Sequence, residues 1–375
     1  MRVVHIIKVI RIAGAEQHLL ALLSGLQKCS IDVHLLLLVE PDNDMVIYVD
    51  KLTALGIPVK RIVIQYHADI GLFLRLRREL QALQPDIVHT HLIHADLYGI
   101  VAARWTGVPV VVTSRHNDDA FRSRTPVKFI NHILWSMVNA GVAISDSIAR
   151  FSIEVEGAPP QLLHRIYYGL DANTPPFEHT QSRHALMQEL TLPSELRLVG
   201  MVCRLVEQKG VTYGLDAFTR VASEFPQAHL LIVGEGPLRA ELEATAKQSG
   251  IGDRVHFLGW RADVPQLLAG LDILLAPSLW EGFGLVMLEA MAQQTAVIAS
   301  HVSAIPEIVA HNETGLLVVP RDVDGLVNAL RLLMTDAPLR QHMGLLGRDR
   351  METQFSVQRM VDETVSLYHT LLDGI

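Results

Sequence analysis

Cysteine is scarce in this chain: only Cys29 and Cys203 occur among its 375 residues, and they lie far apart. Two distant cysteines exclude a disulfide framework and any CxxC metal motif, and they favour a reducing compartment. Long apolar runs are missing too, since no run of about 18 uncharged apolar residues occurs, which predicts no transmembrane helix. Lys8 and Arg11 interrupt the apolar start, which lacks the pattern of a signal peptide.

An excess of basic residues is also absent. Lys and Arg number 32 against 40 Asp and Glu, which gives a formal net charge of −8. A dedicated nucleic-acid-binding protein usually carries a basic footprint, so this balance disfavours that class. Hydrophobic residues make up 49% and charged residues 19%, a globular composition that excludes a disordered chain. At roughly 150 residues per domain, the length predicts two domains.

Short runs rich in Val and Ile alternate with segments of helical period, a pattern typical of a doubly wound parallel sheet. Strands buried on both faces have this continuous apolar character. In the first half, strands are predicted at Val3–Lys8, Asp32–Val39, Val59–Ile64, Ile87–Thr90, Val110–Thr113 and Val142–Ile144. In the second half they are predicted at Leu198–Cys203, His229–Val233, Val255–Leu258, Ile273–Ala276, Val297–Ser300 and Leu316–Val318.

The alternation stops at a proline-containing polar segment and then restarts. We therefore predict a Rossmann-like domain over residues 1–170, a linker over 171–195 with at most one short helix, and a second Rossmann-like domain over 196–355. Residues 356–375 are predicted to form an amphipathic helix that crosses back to the first domain. Ligands of doubly wound sheets bind at the carboxyl ends of the strands, so the strand-to-helix loops are the predicted sites.

The segment WEGFGLVMLEA, from Trp280 to Ala290, follows a predicted strand and opens a helix. Gly282 and Gly284 allow the backbone to approach a ligand closely, and a helix N-terminus offers free N–H groups to an anion. Glu289 lies within the apolar helix, where an unpaired carboxylate is costly, so donors such as sugar hydroxyls would suit it. A helix-capping role for Glu281 and a bond from Glu289 to a nearby loop are the alternatives.

Arg204 and Lys209 place two cations in one loop at the end of a predicted strand. A planar guanidinium and a mobile ammonium together suit a diphosphate. Surface ion pairing, which contributes little to stability, is the alternative interpretation.

These motifs resemble those of the large retaining glycosyltransferase family often called family 4. Glu281 and Glu289 match its Glu-x7-Glu motif, and Arg204–Gly210 (RLVEQKG) matches its phosphate-binding loop. The resemblance extends nearly end to end. Further matching segments are Gly14-Ala15-Glu16, DIVHTH over residues 86–91, LIVGEGP over 231–237, VHFLG over 255–259 and the stretch from Ile305 to Gly315.

The resemblance implies a GT-B fold, in which two Rossmann-like doubly wound parallel-sheet domains face each other across a cleft. It implies transfer of a sugar from a UDP- or GDP-sugar to a hydroxyl acceptor, with retention and without a metal ion or other cofactor. The catalytic residues it implies are His91, Arg204, Lys209 and Glu281. The donor-binding residues it implies are Gly14, Ala15, Arg204, Lys209, Gly234, Leu258, Glu281, Gly282, Phe283, Gly284, Leu285 and Glu289. Glu16 and His116 are placed on the acceptor side.

The partners that follow are a nucleotide sugar and an acceptor, which is a glycan, a lipid-linked glycan or a small molecule, and no nucleic acid. We expect a cytoplasmic location. The basic residues Arg104, Arg115, Arg122, Arg124 and Lys128 are interpreted as solvated surface, with a peripheral contact at the inner face of the membrane as a further hypothesis.

Four other interpretations remain open at this point. His89, His91 and His94, with His116, Asp118 and Asp119, could be proposed as a metal site, although a structural role is more common for such a histidine pair. Asp42-Asn43-Asp44 is best explained as a polar turn, and Gly234-Glu235-Gly236 lacks the third glycine of a dinucleotide fingerprint.

A 2-epimerase acting on UDP-N-acetylglucosamine and a non-catalytic sugar-nucleotide binder are the alternative functions. Tyr168 departs from the resemblance, since the family usually has Asn there.

Overall fold

Two parallel β-sheets organise the chain in this computed structural model, which describes residues 1–12, 14–65, 69–118, 120–193 and 196–375. The chain forms two compact units. The first contains Met1–Asp171 and Ser356–Ile375, and the second contains Ala172–Phe355.

The first unit contains a seven-stranded sheet with the order β3-β2-β1-β4-β5-β6-β7. All of its neighbouring strands pair in parallel. The strands are β1 (Arg2–Lys8), β2 (Asp32–Val39), β3 (Val59–Val63), β4 (Ile87–His91), β5 (Val110–Arg115), β6 (Ala140–Ala143) and β7 (Leu163–Arg165). The α-helices between them are α1 (Gly14–Lys28), α2 (Val46–Ala54), α3 (Gly71–Leu83), α4 (Leu92–Ala95), α5 (Val101–Trp105), α6 (Thr125–Trp135) and α7 (Asp146–Glu154).

Helices cover both faces of this sheet. Successive side chains of a strand point to opposite faces, so Val3 and Ile7 belong to a core with Leu19 of α1. Val4 and Ile6 belong to a second core with Leu72 and Leu76 of α3. Burial on both faces explains why β1 and β2 are nearly continuous apolar runs in the sequence.

The second unit contains a six-stranded parallel sheet with the order β10-β9-β8-β11-β12-β13. Its strands are β8 (Arg197–Val202), β9 (Ala228–Val233), β10 (Val255–Gly259), β11 (Ile273–Ala276), β12 (Ala296–Ser300) and β13 (Gly315–Val318). Its α-helices are α8 (His179–Glu189), α9 (Val211–Val221), α10 (Arg239–Gln248), α11 (Val264–Gly270), α12 (Leu285–Ala292), α13 (Ile305–Ile308), α14 (Val323–Thr335) and α15 (Ala337–Gln354).

The segment predicted as a linker contributes to the second unit. Helix α8 lies within it and packs against α11, with Leu186 and Met187 buried. The Arg183 guanidinium donates to the Asp272 carboxylate over 2.8 Å. Most of this segment is therefore packed structure rather than a free connection, while residues 194 and 195 lie outside the described part.

The last helix, α16 (Val357–Asp373), completes the core of the first unit. Val361 packs so closely on α1 that a Cβ added to Gly25 would lie 2.3 Å from its Cγ2 atom. The Val357 amide donates to the Leu170 carbonyl over 2.9 Å. Met360, Leu367 and Tyr368 are buried in the same core as β1 and α1. No helix among the described residues is long and apolar enough to cross a membrane.

Candidate active site

Two loops of the second unit are tied together at the carboxyl edge of its sheet. Strands β8 and β11 are parallel neighbours, so the loops that follow them emerge side by side. The Leu279 amide donates to the Gln208 carbonyl over 2.7 Å, and the Gln208 side-chain amide donates to the Trp280 carbonyl over 3.2 Å. The predicted phosphate loop and the predicted Glu-x7-Glu segment therefore form one surface.

Lys209 and Glu281 meet on this surface. The Lys209 ammonium forms an ion pair with the Glu281 carboxylate, and the Ser278 hydroxyl lies 3.5 Å from the same carboxylate oxygen. Arg204 is exposed in the same loop, with one guanidinium nitrogen 3.2 Å from the Gln208 side-chain oxygen. A cavity of about 20 Å³, room for one water, lies among Lys209, Ser278, Glu281 and their neighbours.

Glycines shape this edge because side chains would not fit. Gly234 has a φ of 128°, and a Cβ there would lie 1.9 Å from the Cys203 carbonyl oxygen. Its amide donates to the Gly259 carbonyl over 2.7 Å, which places the loop after β9 beside half-buried Leu258. Gly284 has a φ of 104° at the start of α12. Gly234, Leu258 and Gly284 therefore lie at the same edge of the sheet as the Lys209–Glu281 ion pair.

The remaining predicted donor-side residues line the entry to α12. Gly282 and Phe283 are buried, and the Phe283 ring packs edge-on against Phe355 with centroids 6.1 Å apart. Leu285 begins the helix and Glu289 lies one turn further, half-buried among apolar neighbours. No described residue donates a hydrogen bond to the Glu289 carboxylate, and burial raises its pKa to about 7. This carboxyl group is thus an acceptor that the described protein leaves unpaired.

The first unit holds the other predicted site residues. Helix α1 begins at Gly14 and Ala15, and Ala13 lies outside the described residues. Glu16 is buried in the first turn, where its carbonyl accepts a 3.0 Å hydrogen bond from the Tyr48 hydroxyl.

His91 ends β4 and is fully buried, and His116 follows β5. The structure brings these two histidines together: His91 Nδ1 lies 3.1 Å from His116 Nε2. His91 Nε2 lies 2.9 Å from His5 Nδ1, so both ring nitrogens of His91 have partners. Burial lowers the pKa of His91 to about 3, so the ring is neutral at pH 7.

Sequence reasoning missed several members of this cluster. His5 pairs directly with His89 across β1 and β4, and its position in an otherwise apolar strand was the available signal. The Tyr168 hydroxyl lies 2.5 Å from His116 Nδ1, and the Tyr368 hydroxyl of α16 lies 2.6 Å from His89 Nδ1. In the second unit, Gln208 and Ser278 were missed as well.

The prediction of a solvated basic surface is wrong for two of its residues, because Arg115 and Arg122 are buried. Both donate to the Glu156 carboxylate, and Arg115 also forms an ion pair with Asp96. Arg104 is held by the Met137 carbonyl over 2.6 Å. These partners are buried acids and backbone carbonyls that composition alone does not place. Arg124 and Lys128 are exposed.

The set of histidines that could hold a metal ion also differs from the predicted set. Among the described residues, the grouping with ligand atoms within 4.8 Å of one another is His5, His89 and His91, without His94 or His116. Asp119 lies outside the described residues. In the DxD segment, the Asn43 amide donates to the Ile10 carbonyl over 2.6 Å and Asp44 pairs with Arg61 over 3.2 Å. Those contacts fit a polar turn.

Two protein families match this chain, one over most of each unit. The family described as "Glycosyltransferase Family 4" matches residues 12–174, and "Glycosyl transferases group 1" matches residues 182–350. Together the matches span most of the two sheets.

Individual proteins similar to this chain support the same family. An Escherichia coli protein named UDP-Gal:alpha-D-GlcNAc-diphosphoundecaprenol alpha-1,3-galactosyltransferase is 28% identical, with 96% of this chain and 97% of that protein covered. Glycogen synthase of Mycobacterium tuberculosis is 30% identical, with 80% and 73% covered. The crystal structure of Anabaena HepE with UDP superposes with a TM-score of 0.85 at 22% identity, covering 99% and 100% of the two chains. This chain belongs to glycosyltransferase family 4, has the GT-B fold and is a glycosyltransferase.

Proposed function

We propose that the enzyme transfers a sugar from a UDP- or GDP-sugar to a hydroxyl acceptor, with retention of configuration and without a metal ion. One observation carries this proposal: Arg204, Lys209 and Glu281 share one surface at the carboxyl edge of the second sheet, beside the start of α12. Cations and helix N-terminal amides together form a site for a diphosphate.

The two cations supply the charge that the reaction needs. When the bond between the sugar carbon and the diphosphate oxygen breaks, negative charge builds on the leaving diphosphate. Arg204 and Lys209 stabilise that charge electrostatically, the role that a metal ion has in other transferases. The acceptor oxygen bonds to the same sugar carbon, and its proton passes to the leaving phosphate oxygen. Attack on the face that the phosphate leaves retains the configuration.

The glutamates then bind hydroxyl groups. Glu289 offers a carboxylate without a donor among the described residues, which suits two ribose hydroxyls, and Glu281, which pairs with Lys209, binds the sugar. UDP is the favoured nucleotide because the E. coli relative is named for UDP-Gal and the similar HepE structure was solved with UDP.

Nucleotide release from a panel of UDP-, GDP- and ADP-sugars tests this function. Slow release from one donor supports it, and release should persist in EDTA. Conversion of the sugar without nucleotide release would instead show an epimerase. Lys209→Ala should weaken UDP binding roughly tenfold or more, the effect of losing one charged hydrogen bond. Arg220→Ala is the matched control, since Arg220 forms exposed ion pairs on α9 in the same unit.

We further propose that α6 brings the first unit to an anionic membrane that carries the acceptor. Phe129 is 67% exposed, and Ile130 and Ile133 are exposed beside it, while the opposite side of the helix is buried through Asn131 and Trp135. Lys128 adds positive charge to this apolar patch. Apolar side chains with adjacent cations suit the surface of an anionic bilayer. The E. coli relative's name gives a diphosphoundecaprenol acceptor, which supports a lipid-linked substrate here.

Co-sedimentation with lipid vesicles tests the membrane contact. The protein should bind vesicles containing phosphatidylglycerol more strongly than neutral phosphatidylcholine vesicles, and Phe129→Ser should reduce that binding. Leu74→Ser is the control, because Leu74 is an exposed apolar residue on α3 of the same unit. Equal binding by wild type and both variants would refute a role for α6.

A further inference from the structure

The core of the first unit contains a chain of neutral histidines. His5, His91 and His116 come from β1, from β4 and from the loop after β5, and all three are buried. Their nitrogens form a continuous series: Tyr168 hydroxyl to His116 Nδ1 over 2.5 Å, His116 Nε2 to His91 Nδ1 over 3.1 Å, and His91 Nε2 to His5 Nδ1 over 2.9 Å. Burial lowers the pKa of each ring, so each carries one ring proton at pH 7.

Proton counting links the three tautomers. A neutral imidazole has one N–H donor and one acceptor nitrogen, and each contact between two rings needs one proton. If His91 is protonated at Nδ1, it donates to His116 Nε2, so His116 carries its proton on Nδ1. His91 Nε2 then accepts, so His5 also carries its proton on Nδ1. The opposite arrangement protonates Nε2 on all three rings. Mixed tautomers would leave two lone pairs or two protons facing each other.

The two ends of the chain favour the same direction. At one end, Glu16 acts on Tyr168: burial and the Glu16 carboxylate raise the pKa of the Tyr168 hydroxyl. A carboxylate only accepts, so its charge favours a hydroxyl dipole directed toward it, and the Tyr168 oxygen then accepts from His116 Nδ1. At the other end, His5 Nε2 has a long 3.5 Å contact with the Tyr368 hydroxyl. A poorly satisfied lone pair is tolerated there better than a poorly satisfied buried N–H.

We propose that His116, His91 and His5 share one tautomer, protonated at Nδ1, and that Tyr168 is the positioning residue that sets it for all three. The consequence for catalysis rests on the proposed function, since His91 and His116 are among the residues of the first unit that are predicted to line the site. The tautomer determines which ring atom each histidine offers when a ligand displaces a neighbour.

His89 belongs to a separate pair of contacts. Its Nδ1 lies 2.6 Å from the Tyr368 hydroxyl and its Nε2 lies 2.7 Å from the Ser114 hydroxyl. Hydroxyl groups donate or accept as required, so these two contacts do not fix the tautomer of His89. Tyr368 meets the three-ring chain only through its long 3.5 Å contact with His5 Nε2. A Zn²⁺ ion on His5, His89 and His91 would instead need their lone pairs to converge on one point about 2 Å from each nitrogen. The contacts pair these nitrogens with other groups.

Ring-nitrogen NMR of ¹⁵N-histidine-labelled full-length protein tests the proposal without any substrate, so its failure is distinct from failure of the proposed function. Protonated and unprotonated ring nitrogens differ widely in ¹⁵N chemical shift, and single His→Gln variants assign the signals. In the wild type, His5, His91 and His116 should all show a protonated Nδ1 and an unprotonated Nε2. Different tautomers among the three, a doubly protonated ring or one equivalent of bound zinc would overturn the proposal.

A pair of tyrosine variants separates the chain from its neighbour. Tyr168→Phe removes the acceptor of His116 Nδ1–H, so all three rings should change to the Nε2-protonated form together. Tyr368→Phe removes a buried hydroxyl that contacts His89 and lies 3.5 Å from His5 Nε2, and it should leave the Nδ1-protonated form of His5, His91 and His116 unchanged. A Tyr168→Phe spectrum in which the three rings are unchanged, or in which His116 changes alone, would refute the shared tautomer. If Tyr168→Phe does not fold, the wild-type spectrum still decides the point.

Discussion

Replacing Glu289 by Gln should stabilise the enzyme at pH 8 and have a much smaller effect on its stability at pH 5. The Glu289 carboxyl is half-buried in the apolar helix α12, and burial raises its pKa from 4.5 to about 7. The folded chain therefore holds this proton more tightly than the unfolded chain does. The resulting stabilisation is complete below pH 4.5 and is lost as the pH rises to about 7. Glutamine resembles the protonated form at every pH.

The size of the effect follows from the pKa difference. At 1.36 kcal/mol per pH unit, ionisation of Glu289 lowers the free energy of unfolding by roughly 3 kcal/mol between pH 4.5 and 7. For a unit of about the size of Ala172–Phe355, each kcal/mol changes Tm by roughly 2–4 °C. Glu289→Gln should therefore raise Tm by roughly 6–12 °C at pH 8.

Thermal melts of the full chain at pH 5 and pH 8 measure this difference. Titration of the buried histidines affects the wild type and the variant equally, so it cancels when their Tm values are compared at one pH. Glu243→Gln is the control, because Glu243 is an exposed carboxylate paired with Arg239. A Tm change of the same size at both pH values would refute the reasoning, since a pH-independent change reflects packing and not ionisation.

Three other perturbations test the framework. Arg115→Met removes the guanidinium partner of buried Asp96 and one of the two guanidinium partners of buried Glu156, and should destabilise the chain by about 3–5 kcal/mol in urea titrations. Gly234→Ala forces a Cβ into the Cys203 carbonyl and should abolish UDP binding, measured by calorimetry. Gly250→Ala, at a φ of 72° with open space around the added Cβ, should cost only about 1 kcal/mol of stability. Deletion of residues 356–375 strips α16 from the first core and should expose apolar surface to a dye such as ANS.

The sheets were largely readable from the sequence because their strands are buried on both faces. The predicted strand Asp32–Val39 has the bounds that the structure shows, and Ile273–Ala276 does too. Strand β7 was missed because it has three residues at the sheet edge, none of them buried, so no continuous apolar run marks it. Helix α8 was predicted only as one short helix within a linker, because few apolar residues mark its inner side and indicate that it packs.

The candidate site could be predicted from the sequence to the extent that the order of the parallel strands determines it. Parallel strands bring their carboxyl ends to one edge, which is why the loops that contain Lys209 and Glu281 could be grouped. Their ion pair, and the burial of Arg115 between Asp96 and Glu156, depend on rotamers and on partners 19 to 72 residues away. Composition cannot distinguish such an arginine from a solvated one, so part of the predicted surface was wrong.

The histidine chain bears on which residue of the first unit meets a sugar. His91 is 0% exposed and both of its ring nitrogens are engaged, so a sugar hydroxyl must first displace His5 or His116. Leaving a buried partner unpaired costs on the order of 1–3 kcal/mol. His116 is 8% exposed, and displacing its contact with Tyr168 leaves the two histidine–histidine contacts intact. Either displacement leaves one buried partner unpaired, so this cost does not distinguish the two rings. The exposed edge of the ring does, and we propose on that ground that a ligand contacts His116 and that His91 positions it.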